Sequence, residues 1–393
     1  MKSRKRILMI LENNSFPDDT RVRLEAHALV SGGYDVCVIC PKGDNARWRE
    51  TIDDVEIVRY PSPPEWGGAF GYFVEYAYSF AAALLITSWI WIRRGFDAIH
   101  VHCPPDLNIG IGWLFKLFGT KCVYDMHDLS PELFQAQRGD KVNKTLLRGL
   151  LFFERFACRN ASRLIATNET QQSIQLNRGG ASKENCYIIR NGPNTQFLDF
   201  PASNGSTNNS IGYIGLIGVQ DGVEHLVKAA KSLVDEFGHR DLRCEIVGDG
   251  PALEGLKRLG EDLGISKNLV FTGLIPFEKV PERIATFDVC VTPDPSNPYN
   301  DSCTTIKTME YMALRKPVAC FETHENRVTA GDAALYAANN DSRELAAVID
   351  QLLRDPDLRD RMGLLGRQRI DEGLTWSHQA RQLIRLYNEL FST

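Results

Sequence analysis

The feature that most constrains this chain is a rhythm. Short apolar runs rich in β-branched residues are separated by stretches of helical period, and the pattern occurs twice. In the first half the runs lie at 6–11, 36–40, 55–58, 98–101, 122–124 and 164–166; in the second they lie at 211–214, 244–247, 270–271, 289–291 and 318–321. Strands alternating with helices imply a parallel sheet covered by helices, so the rhythm reads as two consecutive doubly wound α/β domains. The length of 393 residues suits two domains at ~100–200 residues each. The stretch 202–210, rich in Asn, Ser and Gly, has linker composition, which places one domain at 1–202 and the next from 203. Open parallel sheets bind ligands beyond the carboxyl ends of their strands. The expected site is therefore the cleft between the domains, lined by the loops that follow each strand.

Composition narrows the class further. Hydrophobic residues make up 43% and charged residues 24% of the chain, ordinary globular values that exclude a mainly disordered, collagenous or multi-span membrane protein. Forty-five Lys and Arg against 50 Asp and Glu leave a formal charge of −5, so no overall basic field invites nucleic acid, and none is expected as a partner. Ten cysteines, with no secretory signal behind Met1-Lys2-Ser3-Arg4-Lys5-Arg6, indicate a reducing, cytoplasmic setting. Cys37 and Cys40 form the only C-x-x-C. Their odd spacing puts them on opposite faces of an apolar strand, which is not a metal or redox arrangement.

Two segments of the first domain bear on membranes. Residues 72–92 carry the apolar run 80–86 and Trp89-Ile90-Trp91-Ile92 ahead of Arg93-Arg94, but Glu75, Ser79, Thr87 and Ser88 interrupt them. That reads as a helix packed on the sheet or partly facing headgroups, rather than a span. From Lys141 to Arg163, basic residues are interspersed with Leu146, Leu147, Leu150, Leu151, Phe152 and Phe153. Such a stretch suits either an anionic membrane surface or a solvated helix face.

The most chemically informative segment runs from Asn300 to Ala313. Asp301, Ser302 and Thr304 are good N-caps, so a helix is expected to start near Ser302–Thr304 with free N–H groups that can hold an anion. With Ile306 at zero, the helical period places Met309, Ala313 and Leu314 in one apolar arc with Glu310 at about 40° inside it. A carboxylate in that position needs a basic neighbour or the hydroxyl groups of a ligand. Gly215, the pair Gly248 and Gly250, and Gly273 each follow a second-domain strand, where glycine lets backbone approach a base or phosphate. In the first domain, Tyr124-Asp125-Met126-His127-Asp128 sets His127 just past a strand, on the loop edge facing the expected cleft.

These residues carry a resemblance. Ile246-Val247-Gly248-Asp249-Gly250-Pro251, Phe271-Thr272-Gly273, Ile189-Arg190-Asn191-Gly192 and Met309-Glu310-Tyr311-Met312-Ala313 with Lys316-Pro317-Val318 resemble glycosyltransferase family 4 in order and spacing over nearly the whole chain. The resemblance implies a GT-B fold of two Rossmann-like domains, with 203–375 holding a nucleotide-sugar donor and 376–393 forming a helix that crosses back to the first. It also implies transfer with retention at the anomeric carbon and no metal or other cofactor. Glu310 matches the second glutamate of the family's E-x7-E motif, which binds the donor ribose. Gly248 and Gly250 match the turn by the nucleotide, Leu274 the backbone position beside the base, and His127 the histidine near the reacting centre; Gly215 joins them as a donor-binding candidate.

Departures from the family are as informative. The first glutamate of the motif is Ser302 here, so contact to the donor sugar falls to Asp301, to Ser302 itself or to backbone, with Thr304 beside them. The family's Arg and Lys that clamp the diphosphate fall at Leu216 and Asp221. A diphosphate leaving group needs cationic or helix-end stabilisation; Lys307 is the first substitute, then Arg327 and Arg190. The loop after the first strand reads Phe16-Pro17-Asp18-Asp19-Thr20-Arg21 and lacks the family's Gly-Gly, and Arg315 stands where a glycine with φ > 0 is usual. The expected function is transfer of a sugar from a UDP- or GDP-sugar to a lipid-linked or envelope-glycan acceptor, in the cytoplasm with peripheral contact at an anionic membrane. A nucleotide-sugar epimerase and a silent, transferase-like partner protein remain the alternatives.

Overall fold

The apolar runs become strands because each is covered on both faces. In a computed structural model of the chain, residues 4–43, 46–63, 68–138, 142–201 and 209–392 are described; the stretch 202–208 expected as a linker, and Lys141, lie outside them. Two compact units result, 1–190 with 377–393, and 191–376.

The first unit holds an eight-stranded sheet in the order β3-β4-β2-β1-β5-β6-β7-β8. Its strands are β1 (Arg6–Ile10), β2 (Asp35–Pro41), β3 (Arg49–Ile52), β4 (Val55–Tyr60), β5 (Ala98–Cys103), β6 (Lys121–Met126), β7 (Arg163–Ala166) and β8 (Cys186–Ile188). All neighbours pair in parallel except the β3–β4 hairpin at the edge. One face is apolar: Leu8, Ile10, Cys37, Ile39, Ile99, Val101, Cys103, Tyr124 and Met126 share a core with Ala83 and Ile90. Cys40, on the opposite side of β2 from Cys37, accepts a hydrogen bond from the Phe16 N–H at 3.4 Å. The intervening residues of β5 and β6 are His100, His102 and Asp125, all with no exposure, so the other face carries buried polar groups. The final helix, Trp376–Ser392, belongs almost wholly to this unit, where Tyr34 donates to Asn388 at 2.8 Å and Tyr387 packs near His100.

The second unit has six parallel strands in the order β11-β10-β9-β12-β13-β14, namely β9 (Ser210–Ile214), β10 (Arg243–Val247), β11 (Leu269–Gly273), β12 (Val289–Thr292), β13 (Val318–Phe321) and β14 (Ala334–Ala337). Side-chain alternation splits each strand between two cores. Ala319 and Phe321 join Ile211, Tyr213 and Ile246 in one, and Val318 and Cys320 join Cys290 and Met309 in the other. Helix Val223–Asp235 shows why its sequence is helical: Val223, Leu226, Val227, Ala230 and Leu233 are buried along a single stripe.

The aromatic segment is one helix, Gly68–Arg94. Ala83 and Ile90 are buried while Leu85 and Ile92 are exposed, and among the described residues no helix is long and apolar enough to cross a membrane. Lys144–Asn160 is also a helix, with its N-terminal N–H groups capped by Asn143.

Candidate active site

Strand order in the second sheet reverses between β9 and β12. Loops leaving the carboxyl ends diverge at such a point and open a crevice for a ligand. The glycine turns there are dictated by crowding: a Cβ on Gly248 would lie 1.9 Å from the Gly215 carbonyl oxygen, and one on Gly250 would lie 2.5 Å from that of Ile217. Both have φ in the left-handed half, 137° and 157°. Two loop backbones therefore lie against each other, tied by the Ile217 N–H donating to the Asp249 carbonyl at 2.9 Å. Leu274, just past β11, is 78% exposed, which leaves its backbone accessible.

The helix bearing Glu310 is Ile306–Ala313, and it begins later than the sequence suggests. Ser302 does not cap it, because its hydroxyl donates to the Tyr299 carbonyl at 2.7 Å within a single turn, Asn300–Ser302. Thr304 is spent as well, donating to Glu325 at 3.2 Å. Thr305 stands at the N-cap without a side-chain bond to the first turn, so the N–H groups of that turn remain for a ligand. Asp301 accepts from Ser296 Oγ at 3.0 Å and from the His324 N–H at 3.3 Å, bracing the next helix, His324–Ala330.

Glu310 itself is 9% exposed, with no hydrogen-bond or ion-pair partner for its side chain among the described residues. Burial pushes its carboxyl up to about 8, and the charge of Lys307 pulls only weakly the other way. A buried carboxylate left unpartnered by the protein is one that a ligand's hydroxyls can satisfy.

Lys307 corrects the expectation of a free diphosphate clamp. Its ammonium donates to Tyr213 Oη at 3.1 Å, Asp221 Oδ1 at 3.0 Å and Asp294 Oδ1 at 3.3 Å. Burial would lower its pKa, but the two carboxylates outweigh burial and hold it well above the usual lysine range. One positive charge among two negative ones leaves the cluster net negative. The other proposed substitutes are paired too. Arg327 bonds Glu322 at 2.8 Å and stacks over Tyr336 at 3.8 Å. Arg190 lies in the first unit, where it pairs with Glu169.

In the first unit, His127 follows β6 and is 11% exposed, its Nδ1 3.4 Å from Asp125 Oδ2. Burial would depress its pKa, yet Asp125 raises it. Asp125 is in turn gripped by Arg21, Nε to Oδ2 at 2.7 Å and Nη2 to Oδ1 at 2.8 Å. Despite burial, that guanidinium holds the carboxyl well below the usual range. Nδ1 thus faces a fixed anion, and Nε2 remains as the atom for substrate.

Sequence reading missed Asp294 and Tyr213 around Lys307, and Arg21, Glu25, His100 and His102 around Asp125. The histidines had a visible signal, since they alternate with Ile99, Val101 and Cys103 in an otherwise apolar strand.

With this geometry established, the comparisons are decisive. Two family models match in tandem, "Glycosyl transferase 4-like domain" over residues 19–192 and "Glycosyl transferases group 1" over 208–355. The 2-deoxystreptamine glucosyltransferase of Streptomyces kanamyceticus is 30% identical over 300 residues, covering 70% of this chain and 73% of that one. The chain belongs to glycosyltransferase family 4. The fold of this transferase is GT-B. Sucrose-phosphate synthase from Thermosynechococcus elongatus matches it with a TM-score of 0.81 at 20% identity, over 99% of this chain and 100% of that one. HepE of Anabaena, crystallised with UDP-glucose, matches with a TM-score of 0.71 at 16% identity, over 98% and 99%. The transferase carries an acid-rich cluster, Asp221, Asp294 and Lys307, beside its first glycine turn at Gly215.

Proposed function

We propose that the protein is a retaining glycosyltransferase that moves a sugar from a UDP- or GDP-sugar to a hydroxyl of a lipid-linked or cell-envelope glycan. The observation that carries the donor assignment is Glu310, buried and unpartnered, on the same helix as Lys307, whose side chain lies against Gly215. Two ribose hydroxyls would satisfy it through charge-assisted bonds of ~1.5–3 kcal/mol each. A structural neighbour crystallised with UDP-glucose supports a nucleotide-sugar donor.

Retention follows from reaction on one face of the sugar. The bond from the anomeric carbon to the diphosphate breaks, the acceptor oxygen bonds to the same face, and the acceptor's proton passes to the departing phosphate oxygen. The growing negative charge needs stabilisation that is strongest in the transition state. The first turn of Ile306–Ala313 offers N–H donors for that charge, and Lys307, held by Asp221 and Asp294, can add its ammonium only where the diphosphate draws it from those carboxylates. His127, with Nδ1 held by Asp125, presents Nε2 to the substrate.

The acceptor assignment rests on the surface of the first unit. Leu117 and Phe118 are exposed, Trp91 contacts Phe118 at 5.1 Å, and Trp113 contacts Phe156 at 5.9 Å. Lys144, Arg148 and Arg155 are exposed on the helix that carries Phe156. Aromatic residues beside bases suit the interface of an anionic membrane, at about 1 kcal/mol per base.

The testing experiment incubates the protein with UDP- and GDP-sugars and a lipid-linked glycan, reading product and anomeric configuration by NMR. A thermal-shift panel with the same donors reports binding alone. Inverted product, or no binding by any donor, overturns the reading. Binding without transfer favours a silent partner, which the net negative charge around Lys307 supports. Sedimentation with anionic vesicles should fall with salt and on changing Lys144, Arg148 and Arg155 to Glu; equal partitioning onto neutral vesicles would favour a soluble acceptor.

A further inference from the structure

Four buried side chains at the polar face of the first sheet converge on one point, and of the four only Asp125, through its hold on His127, enters the proposed reaction. His100 and His102 lie two apart on β5, so both project from the same face, and their rings stack at 4.4 Å. Asp125 pairs in register with His102 on the adjacent strand. Glu25 comes from the helix Thr20–Ser31. His100 Nε2 lies 3.8 Å from Glu25 Oε2, His102 Nδ1 lies 4.0 Å from the same oxygen, and His102 Nδ1 lies 3.3 Å from Asp125 Oδ2. One ligand atom from each of the four residues lies within 4.8 Å of every other.

Arg21 bonds Asp125 and lies 3.1 Å from Glu25 Oε1, but the other atoms are left without hydrogen bonds. Glu25 Oε2 and both ring nitrogens of His100 and of His102 are buried with no hydrogen-bond partner. Buried polar groups are nearly always satisfied, and several orphans at one point call for a ligand.

We propose that Glu25, His100, His102 and Asp125 form a buried site for one tetrahedrally held divalent ion, zinc. Imidazole and carboxylate donors in a closed, four-ligand arrangement are the set zinc accepts, with bonds of ~2.0–2.2 Å. Such bonds put donor atoms about 3.3 Å apart, so the set closes by a movement of roughly 0.7 Å per side chain. Arg21 is placed to support this set. It grips both oxygens of Asp125 and lies 3.1 Å from Glu25 Oε1, leaving Glu25 Oε2 turned to the histidines; carboxylates that bind metal are commonly held in this way. Because the four residues are buried, the ion enters as the chain folds and its affinity appears as stability. The role is structural, and the ion would also fix Asp125, which holds His127.

The test uses the full-length protein, stripped with a chelator and titrated with Co2+ and then Zn2+. Expected are one ion per chain, the intense visible absorption of tetrahedral cobalt, its displacement by zinc, and a rise in thermal midpoint with zinc. Glu25→Gln and His102→Asn, which preserve size, should each weaken zinc at least tenfold and abolish that rise. Substoichiometric metal in the wild type overturns the site, and so does a cobalt spectrum unchanged in both variants. Should the variants fail to fold, the wild-type spectrum decides together with anomalous diffraction at the zinc edge: density between the four side chains upholds the site, and water there ends it.

Discussion

Asp125 and Glu310 are both buried carboxylates, one in each unit, and the protein treats them in opposite ways. Asp125, with no exposure, receives a bidentate guanidinium from Arg21 and stays ionised. Glu310, 9% exposed, receives nothing, and burial lifts its carboxyl to about 8. Stability and function diverge here. A charge compensated within the chain belongs to the folded state, whereas a carboxyl left without a partner keeps its proton until a molecule arrives to take its place.

The sharpest way to break this contrast is Arg21→Met. It strands Asp125 and Glu25 in the interior, and removing one partner of a buried pair costs ~3–5 kcal/mol, so urea unfolding should show a loss of that size. A loss below about 1 kcal/mol would mean Asp125 is no more committed than Glu310.

Glu310→Gln should act the other way round. Nucleotide affinity by calorimetry should drop at least tenfold, about 1.4 kcal/mol, while the unliganded protein unfolds at the same temperature or higher. Unchanged affinity for both UDP and GDP would remove Glu310 from the donor site.

The pH dependence sharpens the same point. The folded pKa of Glu310, about 8, lies above its ordinary 4.5, so the folded state holds a proton that the unfolded chain releases. Stability should therefore fall as pH rises from about 4.5 to 8, and the fall should be smaller in Glu310→Gln. Ribose hydroxyls favour the ionised form, so nucleotide binding should release a proton in the upper part of this window. Calorimetry in buffers of different ionisation enthalpy measures that release, and zero release contradicts the assignment.

The smallest expected effect is at Asp221, where compensation is partial. Asp221→Asn removes one of two carboxylates around Lys307, freeing more positive field for a diphosphate, and should tighten UDP severalfold. Weaker UDP binding would show that Asp221 orders Lys307 rather than opposing it.

What was legible in the sequence followed from local pattern. Continuous apolar runs such as 36–40 are strands because both faces are covered, and Arg315, standing where the family has glycine, does adopt φ 59°. The position of Glu310 within an apolar arc was readable for the same reason, since helical period fixes it. The partners of Lys307 were not. Asp221 is 86 residues away and Asp294 lies on a different loop, so only the parallel order of β9 and β12 brings them together. The late helix start was hidden because Ser302 can bond its own turn as readily as a helix. The polar face of the first sheet escaped because Glu25, His100 and Asp125 come from three separate elements.

The two crossings of the chain between units also set an order of assembly. The second unit is a continuous segment, 191–376, whereas the first takes its last helix from 377–393. At ~5–20 residues per second, a ribosome spends roughly 10 to 40 s making the intervening segment. Throughout that interval the eight strands of the first sheet exist without the helix that buries Leu383, Leu386 and Tyr387. The unit synthesised first is therefore the last to be finished, and it becomes native only when residues 377–393 are free to dock.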